Sequence, residues 1–275
     1  MKLFLKTLIV VSILSVSTGF VRNWSLSIDL FVSFGAFFLA TWYFTNKVKS
    51  INTLLLLLVN ILLINVVVTY LLDGKLPLLG LPNILCMIAG TLTGYFFYTA
   101  AKKVHKIITL LLGAITCISL YATHEKWVHY LNFGNISGSV AEPGISDVRF
   151  YNKQGETINA TDYTSKIAIL DFWNRGCLVC YQKFPKLQQL YNKYKSDPRI
   201  VIQAVNIPLE GDNAGIAFDI VEQKGYTFPV IIGANNADSI FQINVYPTVI
   251  LINNGKIIYR GGIEPAMAVV EDLLR

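Results

Sequence analysis

The sequence contains little cysteine and little histidine. Only four Cys and three His occur in 275 residues, and no His lies beyond residue 129. So few cysteines exclude the disulfide framework of a small secreted domain. A structural zinc site takes four ligands, mostly Cys or His, and the C-terminal half offers only Cys177 and Cys180. We therefore expect no metal site.

Charged residues are also scarce, at 15% of the chain, and acidic residues are almost missing from its first half. Ten Lys or Arg and three Asp or Glu occur in residues 1–137, against thirteen and fourteen in residues 138–275. The net charge of +6 thus belongs to the first half. No basic stripe follows residue 138, which argues against nucleic acid as a partner.

Long apolar runs fill the first 123 residues. A helix needs about 20 apolar residues to cross a bilayer, and backbone groups in lipid must bond within the helix. Residues 1–123 are therefore predicted to be an all-α membrane region of about five transmembrane helices. The runs are Leu3–Val21, Ser27–Phe44, Leu54–Leu72, Leu79–Ala101 and Ile107–Ala122.

The basic residues between these runs predict the orientation of the helices, because cytoplasmic loops are enriched in Lys and Arg. One set of loops carries seven basic residues and the other carries two. The first set is Lys2, Lys6, Lys47, Lys49, Lys102, Lys103 and Lys106, and the second is Arg22 and Lys75. The C-terminal half is thus predicted to be extracytoplasmic, on a multi-pass protein of the cell membrane. Met1–Ser25 also resembles a signal peptide, and its cleavage would leave the same orientation.

Polar and small residues also lie within the apolar runs. Gly90, Gly94, Gly35, Asn60 and Asn65 are expected to serve helix packing, through close approach or hydrogen bonds across helices.

Asp29 is expected to be solvated at the outer boundary, with a proton relay as the alternative. Cys86 and Cys117 fall at similar depth, so they are a candidate second redox pair if their helices touch. Their other reading is that of small apolar fillers.

The second half alternates strands and helices. Residues 124–147 are predicted to be a polar linker, and residues 148–275 a domain that opens with a hairpin around Asn152–Gly155. A buried strand at Ile167–Trp173 precedes a helix from Leu178 to Lys195. Alternating strands and helices followed by a terminal hairpin indicate an α/β sheet covered on both faces.

A specific motif lies at the strand–helix junction. The run Ile167-Ala-Ile-Leu-Asp-Phe-Trp-Asn-Arg-Gly-Cys-Leu-Val-Cys180 is followed by Pro185 and by Tyr246-Pro247-Thr248. This half resembles the thioredoxin superfamily and is most similar to its TlpA/ResA-like extracytoplasmic branch. The resemblance implies a thioredoxin-like fold and a thiol–disulfide oxidoreductase whose cofactor is only its own redox-active disulfide, Cys177–Cys180.

The resemblance also assigns roles to residues. Cys177 attacks a substrate disulfide, Cys180 resolves the mixed disulfide, and Asp171 is a buried acid that takes the proton of the second Cys. Pro247 matches the cis-proline of the superfamily, and Tyr246 and Trp173 are expected to contact substrate. Independently, a thiol at a helix start gains thiolate character from the helix dipole.

Three residues depart from the family pattern. Gly176 stands where most relatives have Trp, Lys183 where the ResA-like branch has an active-site Glu, and Leu178-Val179 is an unusual pair between the cysteines. Substrate choice therefore does not follow from the resemblance.

The function expected is that of a membrane-anchored reductant of exported cysteine-containing proteins, supplied by a transmembrane electron donor. Three alternatives remain open: a structural disulfide, a peroxiredoxin-like peroxidase, and a transporter or sensor whose second half is a binding module. The peroxidase reading lacks the Pro and Thr expected ahead of Cys177.

Overall fold

The structure, a computed structural model, describes residues 2–48, 51–73, 76–142, 148–213, 215–234 and 236–275. These residues form two compact units, Met1–Val128 and His129–Arg275. Lys49 and Lys75, used to predict orientation, and residues 143–147 of the predicted linker lie outside the described residues.

The first unit is helical. Five of its segments are long and apolar enough to cross a membrane, as the apolar runs predicted. The helices are α1 Lys2–Trp24, α2 Leu26–Lys47, α3 Ile51–Leu62, α4 Thr69–Asp73, α5 Leu81–Thr99 and α6 Lys103–Phe133, with a π-helical stretch at Leu63–Val68 and a 3-10 turn at Leu78–Gly80.

Glycines let α5 approach α2 backbone to backbone. A Cβ added at Gly90 would overlap the carbonyl oxygen of Phe34, and one at Gly94 would lie 2.5 Å from the oxygen of Phe38. The packing role predicted for both glycines is confirmed. The same prediction is wrong for Gly35, where an added Cβ would meet nothing within 4 Å.

Two asparagines link neighbouring helices, as predicted. Asn60 donates from Nδ2 to the hydroxyl of Thr7 at 2.9 Å, and Asn65 donates from Nδ2 to the hydroxyl of Ser15 at 3.1 Å. Both bonds join the segment that starts with α3 to α1. Polar side chains in an apolar unit are thus paired with each other.

Asp29 does not lie where the sequence placed it. Its side chain is buried, at 1% exposure, and accepts hydrogen bonds from the hydroxyl of Ser33 and from Nδ2 of Asn83. The expectation of a solvated carboxylate at the boundary is wrong, because α5 packs over this face of α2 and supplies Asn83.

The second unit is an eight-stranded mixed sheet flanked by helices. Its strands are β1 Ser139–Glu142, β2 Arg149–Tyr151, β3 Thr157–Asn159, β4 Ile167–Trp173, β5 Ile200–Asn206, β6 Val230–Gly233, β7 Thr248–Asn253 and β8 Lys256–Gly261. Its helices are α7 Leu178–Tyr194, α8 Ile216–Gln223, α9 Ala237–Ile240 and α10 Ile263–Leu273, with a 3-10 turn at Ala160–Tyr163. The predicted α/β fold of the thioredoxin type is confirmed.

The strand β4 lies at the centre of this sheet. The order is β1-β8-β7-β4-β5-β6-β2-β3, and β4 pairs parallel to β5 and antiparallel to β7. All seven residues of β4 are buried, because both faces of the sheet are covered. Ile169 and Trp173 face the core shared with α7, whereas Leu170 and Phe172 face the opposite core.

The predicted linker is more ordered than its composition indicated. Helix α6 continues through residues 124–133 and ends where Gly134, at φ 71°, accepts the left-handed conformation of a helix C-terminus. Residues 139–142 then form β1, which pairs antiparallel with β8. Asn135 donates to the carbonyl oxygen of Arg260 at 3.1 Å. Because β8 offers β1 an open edge, the sheet includes residues that lie ahead of the predicted start of the domain at residue 148.

Candidate active site

Cys177 is the N-terminal cap of α7. It follows β4 by three residues, and its backbone is extended, at φ −90° and ψ 93°, before the helix begins at Leu178. Its Sγ accepts a hydrogen bond from the backbone N–H of Cys180 at 3.1 Å. The free N–H groups and the dipole of a helix start both stabilise an anion there. A disulfide joins Cys177 to Cys180.

The two cysteines differ in access. Cys177 is half-buried, whereas Cys180 is buried at 1% exposure. Between them, Leu178 is 75% exposed and Val179 is 49% exposed. Cys177 is therefore the more accessible of the two cysteines, and an incoming molecule meets an apolar surface beside it.

Asp171 is buried beneath α7. Side chains alternate along a strand, so Asp171 shares a face with Ile169 and Trp173, the face that packs on Cys180 and the rest of α7. Asp171 is 1% exposed, so its carboxyl group does not face solvent. Burial first, and the nearby charge of Glu264 second, raise the pKa of Asp171 to about 7.

The loop before β7 holds the predicted proline. The Tyr246–Pro247 peptide bond is cis, as the resemblance implied. Tyr246 is partly buried and packs against the cores on both sides of the sheet. Burial raises the pKa of its hydroxyl to about 12, with a smaller contribution from Asp238, so the phenol is neutral near pH 7. The hydroxyl of Thr248 donates to the carbonyl oxygen of Val245 at 2.6 Å and closes the loop.

Trp173 does not lie where a substrate could contact it. Its side chain is fully buried and packs edge-on against Tyr181 and Phe184 of α7. The prediction that it binds substrate is wrong, because α7 folds back over the end of β4 and covers the ring. Trp173 instead supports the helix that carries both cysteines.

Sequence reasoning missed Glu264, at the start of α10. Lys183 and Lys186 of α7 both form ion pairs with its Oε1. Burial raises the pKa of Glu264, but the hydrogen bonds from these two lysines lower it, and the pKa lies at about 2. Lys183, noted as a departure from the family pattern, therefore faces a carboxylate from another helix. No local signal pairs residues 81 apart in the chain.

The sequence also missed the partner of Arg175. Its guanidinium forms an ion pair with Asp212, whose side chain is 1% exposed. The carbonyl oxygen of Arg175 accepts a hydrogen bond from the hydroxyl of Tyr181 at 2.7 Å. The residues just before Cys177 are thus held from two sides. In the described part of the chain, no three His, Cys, Asp or Glu side chains gather as a metal-binding group.

Comparison with known proteins agrees with this geometry. Residues 144–260 match the AhpC/TSA family. Thiol-disulfide oxidoreductase ResA of Halalkalibacterium halodurans is 32% identical over 159 residues, which cover 54% of this chain and 88% of that protein. ResA of Geobacillus thermodenitrificans is 29% identical over 154 residues, or 55% and 81% of the two chains.

Solved structures also align with this half. The thioredoxin domain of a thiol-disulfide oxidoreductase from Bacteroides vulgatus has 21% identity and a TM-score of 0.43, covering 50% of this chain and 100% of that one. StoA from Bacillus subtilis has 24% identity and a TM-score of 0.39, covering 46% and 96%.

The motif around the two cysteines, the thioredoxin-like sheet and the extent of the ResA match lead to one conclusion. Through its C-terminal half, this chain belongs to the ResA-like family of thiol–disulfide oxidoreductases.

Proposed function

We propose that the protein is a membrane-anchored reductant of disulfides in exported proteins, with Cys177 as the attacking sulfur. The observation that carries the proposal is the pairing of a half-buried Cys177 at the start of α7 with a buried Cys180 one turn later. Thiol–disulfide exchange requires one accessible sulfur with thiolate character and one sulfur that only the first can reach.

The exchange conserves electrons and protons. The thiolate of Cys177 attacks one sulfur of the client disulfide, and the client's other sulfur leaves as a thiolate and takes a proton. The thiol of Cys180 then loses its proton and attacks Cys177, which releases the second client sulfur. The client gains two electrons and two protons, and the protein ends with the Cys177–Cys180 disulfide.

Asp171 is the proposed proton acceptor for Cys180. It lies on the face of β4 that packs against α7, and its pKa of about 7 keeps it able to take up and release a proton near neutral pH. A carboxylate with an ordinary pKa would be a weaker base for a thiol.

The membrane unit sets the proposed location. Five helices of sufficient length and apolarity support a multi-pass anchor. The excess of Lys and Arg in alternate loops supports an extracytoplasmic position for the thioredoxin-like unit. Two electrons per cycle then come from a transmembrane donor, because the cytoplasmic thiol pool does not reach that side.

The apolar surface beside Cys177 suits an unfolded client. Leu178 and Val179 present exposed side chains on one side of the sulfur, and Gly176 carries none on another. An extended, cysteine-containing segment can bury apolar area there before exchange.

The test measures how the reduced, detergent-solubilised full chain transfers electrons to insulin, which serves as a protein with disulfides. We expect one insulin disulfide to be reduced per chain, no reduction by Cys177→Ser, and a stable mixed disulfide with Cys180→Ser. A double Cys86→Ala, Cys117→Ala variant is the matched control and retains transfer. Equal transfer by Cys177→Ser would refute the proposal.

A further inference from the structure

Two buried cysteines from different helices meet inside the membrane unit. Cys86 of α5 is 0% exposed and Cys117 of α6 is 3% exposed. They form one buried cluster with Leu30 of α2. Cys117 also points its Sγ at the carbonyl oxygen of Leu30, 4.0 Å away.

The way α6 packs holds Cys117 at this position. Gly113, Cys117 and His124 are the buried residues described on this 31-residue helix, so α6 docks through one narrow stripe. At Gly113, one turn before Cys117, an added Cβ would lie 2.5 Å from the hydroxyl oxygen of Thr93. Gly113 therefore lies close to α5, the helix that carries Cys86.

A buried carboxylate accompanies the pair. Asp29 directly precedes Leu30, which belongs to this buried cluster. Asn83 donates to its Oδ2 at 2.7 Å, and Ser33 donates to its Oδ1 at 3.1 Å. An ionisable group buried inside a membrane unit is costly, so a carboxylate held in this way next to the cluster that contains both thiols indicates a chemical role.

We propose that Cys86 and Cys117 form a second dithiol–disulfide centre, within the membrane unit, with Asp29 as its proton acceptor. The co-reactant is itself a disulfide. Asp29 takes the proton of the attacking thiol, the attacked disulfide opens to a mixed disulfide, and the remaining Cys thiol displaces it. The co-reactant leaves as two thiols, and Cys86 and Cys117 end joined, so two electrons and two protons pass to the co-reactant.

The proposal does not depend on the chemistry of Cys177. Its test therefore uses the full chain with Cys177→Ala and Cys180→Ala, in membranes, with the lipid-permeant 2,2′-dipyridyl disulfide as the probe. Thiopyridone release is followed by absorbance and the intact chain by mass spectrometry. We expect two thiopyridones per chain, no adduct, and a mass lower by two hydrogen atoms.

Single-cysteine variants are the matched controls. With Cys86→Ala or Cys117→Ala added, the remaining thiol should release one thiopyridone and keep a thiopyridyl adduct. Two adducts on the chain with both membrane cysteines, or no release at all, would overturn the proposal. Retained insulin reduction by the Cys86→Ala, Cys117→Ala variant would show that the fold and the proposed function survive independently.

The role of Asp29 has its own readout. Asp29→Asn should slow closure of the Cys86–Cys117 disulfide by roughly a hundredfold, the lower end of what a positioned base contributes. Asp29→Glu should restore most of the rate, because it returns a carboxylate. A rate that is equal in all three proteins would remove Asp29 from the centre.

Discussion

The carboxylate of Glu264 acts on the buried carboxyl group of Asp171. Glu264 raises the pKa of Asp171, in addition to the larger effect of burial. Glu264 itself stays ionised because Lys183 and Lys186 contact it. The pKa of Asp171, the proposed proton acceptor for Cys180, therefore depends on a residue of α10.

Replacing Asp171 by Asn is expected to stabilise the protein at high pH. The folded-state pKa is raised, so the protonated carboxyl favours the native state below about pH 4, and this stability is lost as the pH rises through about 7. Three pH units correspond to about 4 kcal/mol as an upper bound. Pulse proteolysis of the oxidised full chain in urea should show Asp171→Asn more stable at pH 8 and closer to wild type at pH 4.

Replacing Glu264 by Gln should shift the pH dependence of stability that Asp171 causes to lower pH. The variant removes a negative charge near Asp171 and leaves Lys183 and Lys186 without their partner, and both changes lower the pKa of Asp171. Glu271→Gln is the control, because Glu271 sits on the same helix and pairs with exposed Lys193 at 2.6 Å. If both variants shift the stability profile equally, the coupling to Asp171 is absent.

Breaking the pair between Arg175 and Asp212 should destabilise the loop ahead of Cys177. Arg175→Ala leaves a buried carboxylate without its cation, and we expect a loss of about 1–3 kcal/mol in the free energy of unfolding. The double variant Arg175→Ala, Asp212→Asn should recover part of it. Additive losses in the urea titration would show that the two side chains do not interact.

An alanine at Gly90 should disturb the packing of α2 on α5. Its Cβ would overlap the backbone of Phe34, and overpacking of this kind costs about 1–3 kcal/mol. Gly35→Ala is the matched control on α2, since its Cβ would meet nothing within 4 Å. In thermal unfolding in detergent, the midpoint temperature should fall for Gly90→Ala only. Equal midpoint temperatures for the two variants would contradict the packing described.

The parts of the site that sequence could predict are local ones. Cys177 lies at a helix start because a buried apolar strand ends and an amphipathic helix begins within a few residues of it, and Pro247 follows from the family motif. The burial of Asp171 was implied by the resemblance to the thioredoxin superfamily.

The parts that sequence could not predict depend on contacts between distant segments. The contact between Glu264 and Lys183 joins α10 to α7, and the contact between Asn83 and Asp29 joins α5 to α2. The sequence shows that Trp173 lies near the cysteines, but it does not show that α7 covers the ring, so the prediction of a substrate contact was wrong. A polar composition likewise concealed β1, whose pairing with β8 is set by the sheet edge.

The most direct test measures how fast Cys177 reacts with a membrane-impermeant maleimide in intact cells, at a series of pH values. The chain carries Cys86→Ala, Cys117→Ala and Cys180→Ala, so that Cys177 is its one thiol. We predict labelling from outside the cell, with a half-maximal rate at least one pH unit below the ~8.5 of free cysteine. Labelling only after lysis, or a rate that follows free cysteine, would contradict the account.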